Sequence, residues 1–185
     1  MTEMEIGVIV GSLRADSFNR RLAKALQQMA PEGMRFKHLE IGDLPLYNQD
    51  DDANPAESVR RLKSEIQSAD ALLFVTPEYN RSIPGVLKNA LDHASRPYGQ
   101  SAWAGKPAGV VGASIGATGT ALAQQHLRNV LAYLDVHVMG QPEVYLQVSD
   151  ASFDGEGGIA REDTKQFLQG WMNTYAAWIK TFISR

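Results

Sequence analysis

Apolar residues along this chain alternate between unbroken runs and spaced series. Residues 6–10 read Ile-Gly-Val-Ile-Val and stop at Gly11. A short continuous run ended by glycine predicts a strand covered on both faces, which needs no alternation. Residues 71–75 and 107–113 repeat this signature, and 34–41 form a further strand. Residues 136–139 together with 144–148 supply the fifth. Between the runs, apolar positions recur at three- and four-residue spacing. Leu22, Ala25, Leu26 and Met29 predict a helix over 18–30, opened by Asp16-Ser17 and stopped by Pro31-Glu32-Gly33. Val59, Leu62 and Ile66 mark a second helix over 55–68. A third spans 84–94, where Pro84 suits a first turn because the missing N–H has no partner there. Others span 120–134 and 161–183, and the polar, glycine-rich stretch 149–158 predicts a mobile loop.

Strand and helix thus alternate five times, without a repeat or a linker. The chain is therefore expected to be one α/β domain, 1–185, with a parallel sheet covered by helices on both faces. Right-handed crossovers leave few topologies. Ligands of such sheets bind beyond the carboxyl ends of the strands, so chemistry is expected in the loops after the first, third and fourth strands.

Composition removes several alternatives. With 18 basic against 21 acidic side chains, the net charge of -3 lacks the basic excess of a nucleic-acid binder. It also lacks the strong acidity of a carrier such as flavodoxin. The absence of cysteine excludes disulfides, thiolate nucleophiles, iron–sulfur ligation and the cysteine-dependent tyrosine phosphatases. No apolar run is long enough to span a bilayer and no secretory leader is evident, so a cytoplasmic location without a membrane partner is expected. His38, His93, His126 and His137 are scattered, which predicts no metal site.

Three loops remain. Residues 11–19 leave a strand and enter a helix, where free N–H groups and the helix dipole favour an anion. Ser12, Ser17 and Asn19 add neutral donors, and Arg14 adds a planar fork suited to phosphate. Neither a P-loop nor Gly-x-Gly-x-x-Gly is present. The competing reading is an ordinary capped helix with Arg14 merely exposed. In residues 76–84, Pro77 and Pro84 bracket and stiffen a loop carrying Glu78, Tyr79 and Asn80, a set suited to a flat heteroaromatic ring or simply a rigid turn. The third loop, 112–119, carries Ser114 and Gly116 among glycines that admit close backbone approach or make a tight turn.

Gly11-Ser12-Leu13-Arg14 with Ser17 and Asn19, then Pro77-Glu78-Tyr79-Asn80-x-Ser82-x-Pro84 and Leu87-Lys88-Asn89-x-x-Asp92, resembles the NADPH-dependent FMN reductase family, in its quinone and chromate reductase branch. The resemblance implies a flavodoxin-like, doubly wound, five-stranded parallel sheet of order 2-1-3-4-5. It implies noncovalent FMN, with NADPH or NADH as reductant. Ser12, Arg14, Ser17 and Asn19, with the main chain at Phe18, match the phosphate loop. Pro77, Glu78, Tyr79 and Asn80 match the loop bordering the isoalloxazine, and Ser114 and Gly116 match the third flavin loop. Gly119-Thr120 departs from the glycine pair of many relatives. Arg81 occupies a variable position to which no family role passes; a guanidinium there is a candidate for attracting anionic substrates.

The family further implies hydride transfer from the nicotinamide to flavin N5, then reduction of small-molecule electron acceptors: quinones, flavins, azo dyes or chromate. No side chain need act as acid or base. A homodimer or homotetramer is implied, with Arg128 and Glu143 as candidate partners across a second interface. The alternative is a flavodoxin-like electron-transfer module without a nicotinamide site.

Overall fold

The computed structural model describes residues 3–183. Its elements, in chain order, are β1 (Met4–Val10), α1 (Phe18–Gln28), β2 (Met34–His38), α2 (Glu57–Ser68), β3 (Ala71–Val75), α3 (Gly85–Ala94), β4 (Pro107–Ser114), α4 (Ala121–Tyr133), β5 (His137–Val138), β6 (Val144–Gln147) and α5 (Glu162–Ile183). The sheet is parallel, in the order β2-β1-β3-β4-β5, with β6 also paired to β4. This is the expected flavodoxin-like topology, with its switch point between β1 and β3.

The fifth position differs from expectation. It is two short strands on one partner, β5 against Pro107 and Ala108, and β6 against Val111 to Ser114. Pro142, which has no N–H to donate, lies in the break. Side chains satisfy the carbonyls freed there: Arg128 donates to Met139 O at 2.9 Å and Trp171 Nε1 to Pro142 O at 2.9 Å. Arg128 and Glu143, candidates for a contact between subunits, face each other within the chain at 3.9 Å.

Each face of the sheet carries its own core. On one, β1 and β3 side chains pack with Leu22 and Leu26 of α1 and Leu168, Trp171 and Tyr175 of α5. On the other, Ile9, Leu72 and Phe74 meet α2, α3 and α4 through Leu62, Leu91 and Leu127. The unbroken apolar runs are thus explained, because alternate residues of β3 serve opposite cores. Two aromatic residues of α5 are spent inside: Trp171 and Tyr175 stack at 5.1 Å, and the Tyr175 hydroxyl donates to Leu72 O at 2.7 Å. Burial pushes that phenol well above its usual range.

The segment expected to be a mobile loop is bonded instead. Asp154 Oδ1 accepts from the N–H groups of Glu156 (3.0 Å) and Gly158 (2.7 Å), and Phe153 bridges Ile159. Asp150 pairs with Arg21 of α1 at 2.8 Å, tying this segment to the first helix.

Candidate active site

Parallel register brings the three loops together. Val10 is level with Val75, and Val75 with Val111, so β1, β3 and β4 release their chains side by side at one edge. The bonding continues past the strands: Gly11 N–H donates to Val75 O at 2.9 Å and Thr76 N–H to Val111 O at 3.0 Å.

The first loop has a buried frame and an exposed tip. Ser12 and Ser17 are buried, while Arg14 and Asp16 are exposed. Ser17 is the N-cap of α1, its hydroxyl accepting from Arg20 N–H at 3.4 Å. The first helical main-chain bond runs from Arg21 N–H to Ser17 O. The N–H groups of Phe18 and Asn19 therefore open toward the loop, as at any helix start. The Phe18 ring turns away and stacks on Phe153, 6.2 Å between centroids. Among the described residues Arg14 makes no ion pair. Free amides, a helix N-terminus, two hydroxyls and an uncommitted guanidinium together can hold a phosphate dianion.

Asn19 has a different task from the loop donor read in the sequence. It is 2% exposed; its Nδ2 donates to Ala113 O and its Oδ1 accepts from Ala113 N–H, both at 2.9 Å. It locks the first loop to the root of the third.

The second loop is a tight hairpin. Tyr79 and Ser82 exchange both main-chain bonds at 3.0 Å, with φ of 52° at Asn80 and 67° at Arg81. Two successive positive φ values define a type I′ turn. Asn80 suits the left-handed region, whereas Arg81 occupies a position that glycine usually fills, at a cost of order 1 kcal/mol. Tyr79 is half exposed. Glu78 turns inward: its Oε2 accepts from the N–H groups of Leu122 and Ala123, each at 3.1 Å. It thereby caps α4 from another loop. Its Oε1 lies 3.4 Å from the Arg81 guanidinium. The sequence reading missed this cap, and also the contact of Ser82 Oγ with His126 Nδ1 at 3.0 Å. No local pattern marks partners 44 residues apart.

In the third loop, Ser114 Oγ accepts from Gly116 N–H at 3.1 Å, and Gly119 turns with φ of 64° against the Tyr145 backbone. Gly116 has only Ser114 Oγ near a would-be Cβ, at 3.6 Å, so its backbone is open to a ligand. The three loops thus offer an anion cradle beside an edge rich in backbone groups, a donor set that fits a flavin mononucleotide.

Residues 4–150 match the family described as NADPH-dependent FMN reductase. The chain belongs to this family. This FMN reductase homologue is therefore an oxidoreductase that works with FMN and a reduced nicotinamide. The reductase is 55% identical over 177 residues to a 2-hydroxy-1,4-benzoquinone reductase of a Burkholderia species, covering 96% of this chain and 97% of the relative. Its fold superposes with a TM-score of 0.93 on FerB, a flavoenzyme NAD(P)H:(acceptor) oxidoreductase of Paracoccus denitrificans, at 47% identity and with 97% and 98% of the two chains covered. A flavodoxin of Pseudomonas aeruginosa, at 19% identity and a TM-score of 0.60 over 96% and 99% of the chains, shares the fold.

Proposed function

We propose that the chain is a single-domain, cytoplasmic NAD(P)H-dependent quinone reductase, with flavins and oxyanions such as chromate as further acceptors. The observation that carries this reading is the phosphate-ready first loop standing beside the other two at the β1–β3 switch point. The benzoquinone-reductase name of a relative 55% identical to this chain supports the choice of acceptor. When bound, FMN supplies the two-electron carrier between nicotinamide and acceptor. Ser12, Arg14, Ser17 and the N–H groups of Phe18 and Asn19 would hold its phosphate. Pro77, Glu78, Tyr79 and Asn80 would border the ring from one side, and Ser114 and Gly116 from another. Glu78 would act mainly by fixing α4 and the turn, because its carboxylate is already engaged.

The visible spectrum of the purified protein tests the reading. A flavin spectrum, bleached by NADPH and restored by a quinone, with FMN rather than FAD released on denaturation, is expected. A flavin that NADPH leaves oxidised would favour an electron-transfer module, and a colourless protein that takes up no FMN would end the proposal.

Arg14→Ala should weaken FMN binding by about ten- to a hundred-fold, the loss of one charge-assisted contact of roughly 1.5–3 kcal/mol. Hydride transfer in the FMN-saturated variant should change little. Fluorescence titration of the apoprotein decides it; an unchanged dissociation constant contradicts the assignment.

Arg81 would steer anionic substrates. Its side chain is 67% exposed, and the pairing with Glu78 at 3.4 Å offsets part of the field it presents to solvent, which keeps the expected steering modest. Arg81→Ala should lower kcat/KM for NADPH about threefold at low salt, and less at high salt. The half-reaction with a neutral quinone should be nearly unaffected. Equal losses in both half-reactions would leave Arg81 a structural residue only.

A homodimer or homotetramer is part of the proposal. Tyr98, in the segment after α3, and Tyr133, at the end of α4, stand 86% and 84% exposed along open grooves, surface that a second copy would cover. Light scattering that finds only a 20.3 kDa species at micromolar concentration would refute it.

A further inference from the structure

An open groove of about 470 Å³ runs along the outer face of α1, beside the first loop. Arg20, Arg21, Lys24, Gln27 and His38 line it, with Asp16 as its acid. The charges are not balanced. Arg21 is committed to Asp150 at 2.8 Å and lies over the Phe153 ring at 4.3 Å. Arg20 and Lys24, one helical turn apart, make no ion pair among the described residues. Arg20 and His38 also line a neighbouring cavity of about 60 Å³ with Ser12, Leu13 and Glu40, whose carboxylate accepts from Gly42 N–H at 2.8 Å, so the groove adjoins the first loop. The field there is felt: burial first, and then the Arg20 guanidinium, hold the His38 imidazole below its ordinary value. On a chain of net charge -3, two uncommitted cations beside a phosphate loop call for an anion.

We infer that this groove is a subsite for a phosphate monoester on ribose, the group that distinguishes NADPH from NADH. The inference rests on the reading that a nicotinamide dinucleotide is the reductant. Arg20 is the third residue of α1, and Lys24 lies about 10 Å from Ser17 along the helix at 1.5 Å per residue. The two cations therefore stand next to the place assigned to the flavin phosphate and extend one turn beyond it. A phosphate monoester carries close to two negative charges at neutral pH, and a guanidinium fork with an ammonium one turn on matches its oxygens. NADH has no group to place there, so the groove contributes to one dinucleotide and not the other.

The double variant Arg20→Gln, Lys24→Gln tests it. In the FMN-loaded enzyme, kcat/KM for NADPH should fall tenfold or more while that for NADH stays within twofold. Rising salt should erode the NADPH advantage of the parent enzyme. An NADPH-to-NADH ratio unchanged by the substitutions overturns the proposal. So does a comparable loss of FMN affinity, because the groove would then serve the flavin phosphate. A second measurement needs neither turnover nor a variant. Adenosine 2′,5′-bisphosphate should bind the parent protein at least tenfold more tightly than adenosine 5′-monophosphate by calorimetry, and equal affinities overturn the assignment. If neither dinucleotide bleaches the flavin, the reductase reading fails while the bisphosphate titration still decides the groove.

Discussion

Asn19→Ala is expected to lower the unfolding temperature by roughly 5–15 °C and to weaken FMN binding in the same variant. The side chain is buried, and its amide meets both main-chain groups of Ala113 at 2.9 Å. Alanine leaves that N–H and that carbonyl without partners, at about 1–3 kcal/mol each. For a chain of this length, each kcal/mol lowers the transition by about 2–4 °C. The effect reaches the site because Asn19 is the second residue of α1 and Ala113 is the next-to-last residue of β4. Removing the amide frees the phosphate loop from the third loop. Calorimetry of the apoprotein with an FMN titration measures both effects. An unfolding temperature within 2 °C of the parent would mean that water replaces the amide. Asn19→Asp should not rescue, since a carboxylate can accept from Ala113 N–H but has no N–H to give its carbonyl.

Gly112→Ala should be of comparable severity, costing about 3 kcal/mol or more, the upper range of overpacking penalties. A Cβ at this position in β4 would stand 2.1 Å from Thr120 Oγ1 and 2.4 Å from Thr76 O. The first is the N-cap residue of α4, and the second is main chain at the start of the hairpin loop. Neither can swing aside as the far end of a flexible side chain would. The strand must shift or both loops must open, and either displaces the groups proposed to border the flavin. Adding Thr120→Ala should recover only part of the loss, because the Thr76 carbonyl remains. Gly85→Ala, at a helix start with nothing within 4 Å of the new methyl, is the control and should be close to neutral. Thermal unfolding of the variants with FMN titration decides the matter. A Gly112→Ala protein as stable as the control would show that the contact relaxes freely.

Most elements were legible because they obey short-range rules. Continuous apolar runs located β1, β3 and β4, since strands buried on both faces have no polar side to reveal. The spacing of Leu22, Ala25 and Leu26 located α1 and the pair Asp16-Ser17 its start, of which Ser17 is the cap. Pro84, expected inside the third helix, is its N-cap residue, one position before the first helical residue. The family motifs named the three loops and the cofactor. The break between β5 and β6 was less legible, because both segments are apolar and only pairing to different parts of β4 separates them.

By itself, then, the sequence determined most of what depends on neighbours within about four residues: the elements and the start of the first helix, and with them which loops a parallel sheet would gather at one edge. The tertiary structure alone decided what those loops' side chains do. Asn19 reads as a loop donor until the sheet brings Ala113, 94 residues away, within 2.9 Å of its amide. Glu78 reads only as part of the ring-bordering loop, and the structure adds that its carboxylate lies 3.1 Å from two N–H groups of α4. Arg20 and Lys24 carry no local signal, and only the structure shows them without ion-pair partners among the described residues, on the groove that begins at the first loop. A buried polar group takes whichever partner packing delivers, because leaving it unpaired costs more than any local preference gains.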